Sequence, residues 1–204
     1  MAEIYAISDD ILMPENLALE YAREILECGV KFFQFRSKKA VKNEKLASEI
    51  LNLCEKFGAK FIVNDDVKFA KKIGAKAVHL GKDDENIKEA FEILGKDAYV
   101  GVSCYGDISL AINAAKNGAS YVAFGSVFAS PTKPNASKCD LEVVKEAKQI
   151  LNLPVCVIGG INERNIGSLS HANPDLIAVI SAIYKNGNIK ENIKNLQKII
   201  ELNF

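Results

Sequence analysis

The sequence predicts a single (β/α)8 TIM barrel over residues 1–204, an α/β fold in one domain. Three observations lead there. Short β-rich runs alternate with longer amphipathic runs along the whole chain, eight times, with no linker between units. The strand runs are apolar on both faces, as a parallel sheet covered by helices requires. Glycines punctuate the helix ends at Gly29, Gly58, Gly74, Gly95 and Gly118, each a few residues before the next strand. An open doubly wound sheet is the rival arrangement, but no G-x-G-x-x-G follows the first strand, which disfavours its dinucleotide-binding form.

The elements are expected in this order. A strand over 4–8 leads to a helix near 14–27 that stops at Cys28-Gly29. A strand over 31–35 leads to a helix near 42–57, closed by Gly58. Strands over 60–63 and 77–80 feed helices near 67–73 and 86–94, ending at Gly74 and Gly95. A strand over 98–102 feeds a helix near 108–117, ending at Gly118. The strand over 121–124 opens the longest irregular stretch, and a helix near 141–151 follows it. Strands over 155–158 and 176–180 complete the set, with helices near 164–170 and 189–202.

Composition narrows the function classes. Hydrophobic residues make up 49% and charged residues 25%, as in an ordinary globular domain. Lys plus Arg and Asp plus Glu number 26 each, so no global charge draws the chain to nucleic acid or to a membrane. No apolar run is long enough to span a bilayer, and Met1-Ala2-Glu3-Ile4 lacks the pattern of a secretory signal. The five cysteines are odd in number and scattered without a CxxC, so reduced thiols in a cytoplasmic protein are expected. His79 and His171, the two histidines, lack close Cys or His neighbours, which argues against zinc. Oligomeric state is left open, a homo-oligomer included.

In a TIM barrel the chemistry gathers at the C-terminal ends of the strands. After the second strand, Gln34, Arg36 and Lys38 alternate with Phe33 and Phe35. If the phenylalanines pack under helices, the polar set faces the mouth, where two cations suit a diphosphate or a carboxylate. Asn64-Asp65-Asp66 follows the third strand and reads either as ligand-binding groups or as a helix cap. His79 begins His79-Leu80-Gly81-Lys82-Asp83-Asp84 and by itself reads as a satisfied interior histidine. Asp65 and Asp84 on neighbouring strands would together suit Mg²⁺, completed by water and substrate phosphate oxygens, while Asp83 or Asp84 reads equally as a helix cap. Ser103 ends the fifth strand. The loop after the sixth, with Ser130, Thr132 and Lys133, reads as a lid over a phosphorylated ligand or as a plain surface loop. Gly159-Gly160, with Ile180-Ser181 at a short extra helix, forms the phosphate-site pattern between strands seven and eight. Two anion sites with a metal between them suggest the joining of two phosphorylated molecules.

The ordered set "IYAISDD", "QFRSK", "FIVNDDV", "GAKAVHLGKDD", "GVS", "GASYVAFGSVFASPTK", "PVCVIGGI" and "IAVISAI" covers nearly the whole chain. It resembles the thiamin-phosphate synthase family, small (β/α)8 barrels that couple hydroxymethylpyrimidine diphosphate to thiazole phosphate and release pyrophosphate. The resemblance implies that Gln34, Arg36, Lys38, Asn64, Ser103 and Lys133 hold the pyrimidine diphosphate. Arg36, Lys38, Ser103 and Lys133 would form the catalytic set, and Asp65 and Asp84 would hold Mg²⁺. Ser130 and Thr132 would meet the thiazole, whose phosphate Gly159, Gly160, Ile180 and Ser181 would cradle. The sequence departs from the family at Ser37, Lys82, Ser130 and Asp140, where Glu, Gln, Thr and Gly are usual. A sister group, the thiazole tautomerases, shares the pocket but carries a histidine where this chain has Ser126. A non-catalytic thiazole-phosphate binder on the same scaffold is the alternative from outside enzymology.

Overall fold

The computed structural model describes residues 1–81, 86–129 and 138–204. Eight parallel strands close into a barrel in chain order. They are β1 (Glu3–Ile7), β2 (Phe32–Phe35), β3 (Lys60–Asn64), β4 (Ala77–Leu80), β5 (Tyr99–Tyr105), β6 (Tyr121–Phe124), β7 (Val155–Ile158) and β8 (Leu176–Val179), which pairs back onto β1. Six helices follow the first six strands: α1 (Glu15–Glu27), α2 (Glu44–Lys56), α3 (Val67–Ile73), α4 (Ile87–Leu94), α5 (Ile108–Lys116) and α6 (Leu141–Ile150). A short α7 (Ser181–Tyr184) and a longer α8 (Ile189–Asn203) follow β8.

The expected barrel is the fold observed, with two local corrections. The helix expected near 164–170 is a 3-10 helix, Ile166–His171. Its serines explain the tighter winding. Ser168 and Ser170 donate their hydroxyls to the carbonyls of Asn165 and Gly167, three residues back, in competition with the α-helical ladder. β5 also runs beyond the expected 102, through a register shift between Ser103 and Tyr105. Tyr105 takes φ +55°, and its carbonyl accepts from Gly125 N–H at 2.8 Å, which extends the pairing with the β6 side.

Strand alternation sorts the apolar residues into two layers. Tyr5, Ile62, Tyr121, Cys156 and Leu176 fill the barrel interior. Phe33, Val63, Val78, Val122 and Val157 point outward, under the helices. Phe33 and Phe35 stack on Phe61, and Phe35 on Phe69, at centroid distances of 6.5, 6.0 and 6.1 Å. Each such buried ring contributes on the order of 1.5–3 kcal/mol. Phe33 and Phe35 thus take the helix side, while Phe32 and Gln34 share the interior face of β2.

The helices meet this layer through stripes three and four residues apart, such as Ala47, Ile50, Leu53 and Cys54 of α2. Gly74 ends α3 at φ +80°, a left-handed conformation that lets the chain turn directly into β4. The other four helix-ending glycines also have positive φ.

Asp66 is the N-cap of α3. Its carboxylate accepts from Phe69 N–H at 2.8 Å and from Lys42 Nζ at 2.7 Å. Burial works to raise its pKa, but Lys42 and the Phe69 N–H outweigh it and hold the carboxyl below its ordinary value. A lowered folded-state pKa adds stability present above the unfolded pKa and lost as pH falls through the folded one. Asp66→Asn keeps a capping oxygen and removes the charge. We expect it to cost less than about 1 kcal/mol near neutral pH, and the difference from wild type to vanish below the carboxylate range. Urea unfolding of both proteins across pH checks this.

Candidate active site

The interior column of side chains continues upward into polar groups. Gln34, Asn64, His79 and Ser103 share the strand faces of the interior residues below them, and Asn64 lies beside His79 in the β3–β4 register. Gln34 is 3% exposed, and its Nε2 donates to Tyr5 Oη at 2.7 Å. Tyr5 Oη and Tyr121 Oη lie 2.8 Å apart. Tyr121 Oη is 2.8 Å from His79 Nδ1, and His79 Nε2 is 2.9 Å from Ser103 Oγ. Both ring nitrogens of His79 are therefore engaged, the interior histidine the sequence suggested. Tyr5 and Tyr121, which sequence reasoning passed over, link Gln34 to His79 beneath the site. The available signal was a set of aromatic residues at inward strand positions, Tyr5, Phe32, Tyr99 and Tyr121.

The rim is built from charged loop residues. Arg36 pairs with Asp9 at 3.5 Å, and its backbone N–H donates to Ser8 Oγ at 2.7 Å. Lys38 Nζ pairs with Asp65 at 2.7 Å, while Lys38 N–H donates to Asp10 at 2.7 Å. Asp9 and Asp10, which follow β1, therefore shape the β2 loop, a role the sequence did not disclose. Asp65 adopts φ +65° and donates its backbone N–H to the carbonyl of His79 at 2.9 Å. This left-handed conformation, one that Asp tolerates better than most residues, places its carboxylate beside Lys38 instead of capping α3.

On the opposite side, β7 and β8 are paired through Ile158 and Ala178, which sets Gly159-Gly160 beside Ile180-Ser181. The glycines are required by close packing. A Cβ on Gly159 would lie 2.0 Å from Ser126 Oγ, and one on Gly160 2.2 Å from the Ala129 carbonyl oxygen. Val127 N–H and Phe128 N–H donate to the carbonyls of Ile158 and Gly159 at 3.0 and 3.1 Å, tying the start of the long loop to β7. Gly160's carbonyl is taken by the side chains of Asn162 and Asn165 at 3.0 and 2.9 Å. Among the described residues, the N–H groups of Gly159 and Gly160 meet no backbone acceptor, and α7 begins at Ser181 with the unpaired N–H groups of a helix start. Asp140, where the family usually has Gly, has φ −74° and caps α6 by accepting from Glu142 N–H, so the position imposes no left-handed backbone.

Lys82, Asp83, Asp84, Ser130, Thr132 and Lys133 lie outside the described residues. Among the described residues no group of three or more His, Cys, Asp or Glu side chains converges. Asp65, with its side chain 33% exposed and already against a cation, suits an ion held by one or two carboxylates, water and phosphate oxygens. That donor chemistry fits Mg²⁺ and does not fit an all-protein cage. Burial pushes the thiols of Cys54 and Cys104 up to about 12 and that of Cys139 up to about 11, so none of them is a nucleophile near neutral pH.

Comparison with known proteins agrees with this geometry. Residues 4–183 match the family described as thiamine monophosphate synthase. The thiamine-phosphate synthase of Thioalkalivibrio sulfidiphilus is 38% identical over 201 residues, spanning 98% of this chain and 95% of that protein. The thiamine-phosphate synthase of Wolinella succinogenes is 44% identical over 88% of this chain and 84% of its own length. The solved structure of thiamine phosphate pyrophosphorylase from Pyrococcus furiosus superposes with a TM-score of 0.87 at 33% identity, covering 98% of this chain and 96% of that one. With a match running from β1 into α7 and relatives spanning almost the whole barrel, the chain belongs to the thiamine monophosphate synthase family.

Proposed function

We propose that this protein is a thiamin-phosphate synthase, a transferase that joins hydroxymethylpyrimidine diphosphate to thiazole phosphate and releases pyrophosphate. The observation that carries the reading is the rim itself. Two cations from the β2 loop, Arg36 and Lys38, stand over a polar interior of Gln34, Asn64 and Ser103, across the barrel from Gly159-Gly160.

The reaction breaks the bond between the pyrimidine methylene carbon and the diphosphate oxygen, and forms one from that carbon to the thiazole nitrogen. The electron pair of the broken bond leaves with pyrophosphate, and the thiazole nitrogen supplies the pair for the new one. No protein nucleophile is required. Arg36, Lys38 and, in this reading, Lys133 stabilise the charge that grows on the leaving group. Gln34, Asn64 and Ser103 hold the pyrimidine diphosphate, and Gly159, Gly160, Ile180 and Ser181 cradle the thiazole phosphate, with Ser130 and Thr132 against its ring. Alignment of the two substrates supplies a further part of the acceleration. Asp65 and Asp84 are the groups to hold Mg²⁺, which when bound neutralises diphosphate charge. Cytoplasmic residence, where the five thiols stay reduced, belongs to the same reading.

Purified protein given both substrates and Mg²⁺ is expected to form thiamin phosphate, and Arg36→Ala to form it about 10²-fold more slowly. Unimpaired Arg36→Ala would remove Arg36 from the leaving-group site. Tight binding of thiazole phosphate without product would overturn the synthase reading and leave a tautomerase or a binder.

A further inference from the structure

The hydrogen bonds from Gln34 to Ser103 form one unbroken chain through the barrel interior, and its hydrogens can be counted. A phenol and a serine hydroxyl each have one proton to donate, and an imidazole nitrogen that accepts cannot also carry a proton. Tyr5 Oη accepts from Gln34 Nε2, so its own proton goes to its only other partner, Tyr121 Oη. Tyr121 has then accepted from Tyr5, and its proton goes to His79 Nδ1. The ring proton of His79 is consequently on Nε2 and is donated to Ser103 Oγ. With the Gln34 amide nitrogen turned to Tyr5, any other assignment in this run leaves a buried phenol proton without an acceptor, at about 1–3 kcal/mol for each. Burial pushes the pKa of both phenols well above the ordinary value, so each keeps the proton that the count assigns to it.

We propose that this chain has a fixed polarity: it holds the proton of His79 on Nε2 and leaves the Ser103 hydroxyl proton free to be donated to a lone pair of the pyrimidine diphosphate. Tyr5, Tyr121 and His79 are positioning residues, acting through Gln34 and Ser103 at the two ends. Among the described residues no acceptor takes the Ser103 proton, and none of the buried side-chain polar atoms is unpaired. Gln34 donates inward and keeps its Oε1 for the ligand, so the site offers an acceptor at β2 and a donor at β5. The two ends are coupled. Turning the Gln34 amide over would reverse every bond in the chain and take the Ser103 proton for His79. The role of the substrate here rests on the synthase reading, whereas the polarity of the chain does not.

Two histidines make the test direct. In protein labelled with ¹⁵N-histidine, the imidazole resonances of His79 should show an unprotonated Nδ1 and a protonated Nε2 without any ligand. Exposed His171 serves as the internal reference. Tyr121→Phe retains the ring and removes the donor to Nδ1. It should give His79 a mixture of tautomers and lower kcat/KM for the pyrimidine diphosphate about 10-fold, with KM for thiazole phosphate unchanged. A proton on Nδ1 in the wild type would overturn the proposal, as would a Tyr121→Phe protein with unaltered tautomer and unaltered kcat/KM. If Tyr121→Phe does not fold, Tyr5→Phe and the wild-type spectrum decide. The predicted spectrum in a protein that makes no thiamin phosphate would overturn the functional reading and leave the polarity standing.

Discussion

Asp65→Asn is expected to lower turnover about 10²- to 10³-fold while leaving the barrel folded. The substitution isolates charge from geometry. Asn tolerates the φ of +65° at this position, which Ala would not, and it keeps the size of the side chain. The ion pair with Lys38 at 2.7 Å joins partly exposed groups, so its loss should cost at most about 1 kcal/mol, or about 2–4 °C in Tm for a chain of this size. A fall in activity far beyond what that change in stability can cause would place Asp65 in the chemistry. Steady-state kinetics against Mg²⁺ concentration, with thermal melts of the same samples, give both readings. Full activity in Asp65→Asn would contradict the assignment of Asp65 to the metal.

The second large effect is structural and sits below the site. Gly101→Ala is expected to destabilise the barrel by about 3 kcal/mol, lowering Tm by roughly 6–12 °C. A Cβ on Gly101 would lie 2.0–2.4 Å from three atoms of the Tyr121 ring and hydroxyl. Tyr121 has nowhere to go. It is fully buried, bonded to Tyr5 and His79, and stacked between the rings of His79 and Tyr99 at 5.5 and 5.4 Å. Gly106→Ala is the control, since its Cβ would meet nothing closer than 3.5 Å and should leave the melt within about 2 °C of wild type. Circular-dichroism melts of the three proteins decide. Equal stability of Gly101→Ala and wild type would mean that Tyr121 does not occupy the barrel axis.

These two positions show what the sequence makes legible. The alternation of Phe33 and Phe35 with Gln34 is a local pattern, so the division of β2 between helices and interior is readable from the chain alone. The same holds for Gly74, whose place at a helix end implies the left-handed backbone it adopts. Asp65 and Asp66 are ambiguous in sequence because a cap and a ligand draw on the same residue types. The fold separates them by backbone: Asp66 turns into α3 and caps it, while Asp65 swings its carboxylate to Lys38. Tyr5 and Tyr121 are 116 residues apart, and their contact exists only because β1 and β6 face each other across a closed barrel. No local pattern announces such a pair, nor the constraint that a ring on the neighbouring strand places on Gly101. Asp9 and Asp10 are obscured for a related reason, since their partners, Arg36 and the Lys38 backbone, lie on the next unit.

The measurement that tests the central claim most directly is the stoichiometry of the reaction. With hydroxymethylpyrimidine diphosphate, thiazole phosphate and Mg²⁺, purified protein should yield thiamin phosphate and pyrophosphate in equal amounts, and chelation of the metal should stop both. Pyrophosphate without thiamin phosphate, or neither product under conditions where both substrates bind, would contradict the account.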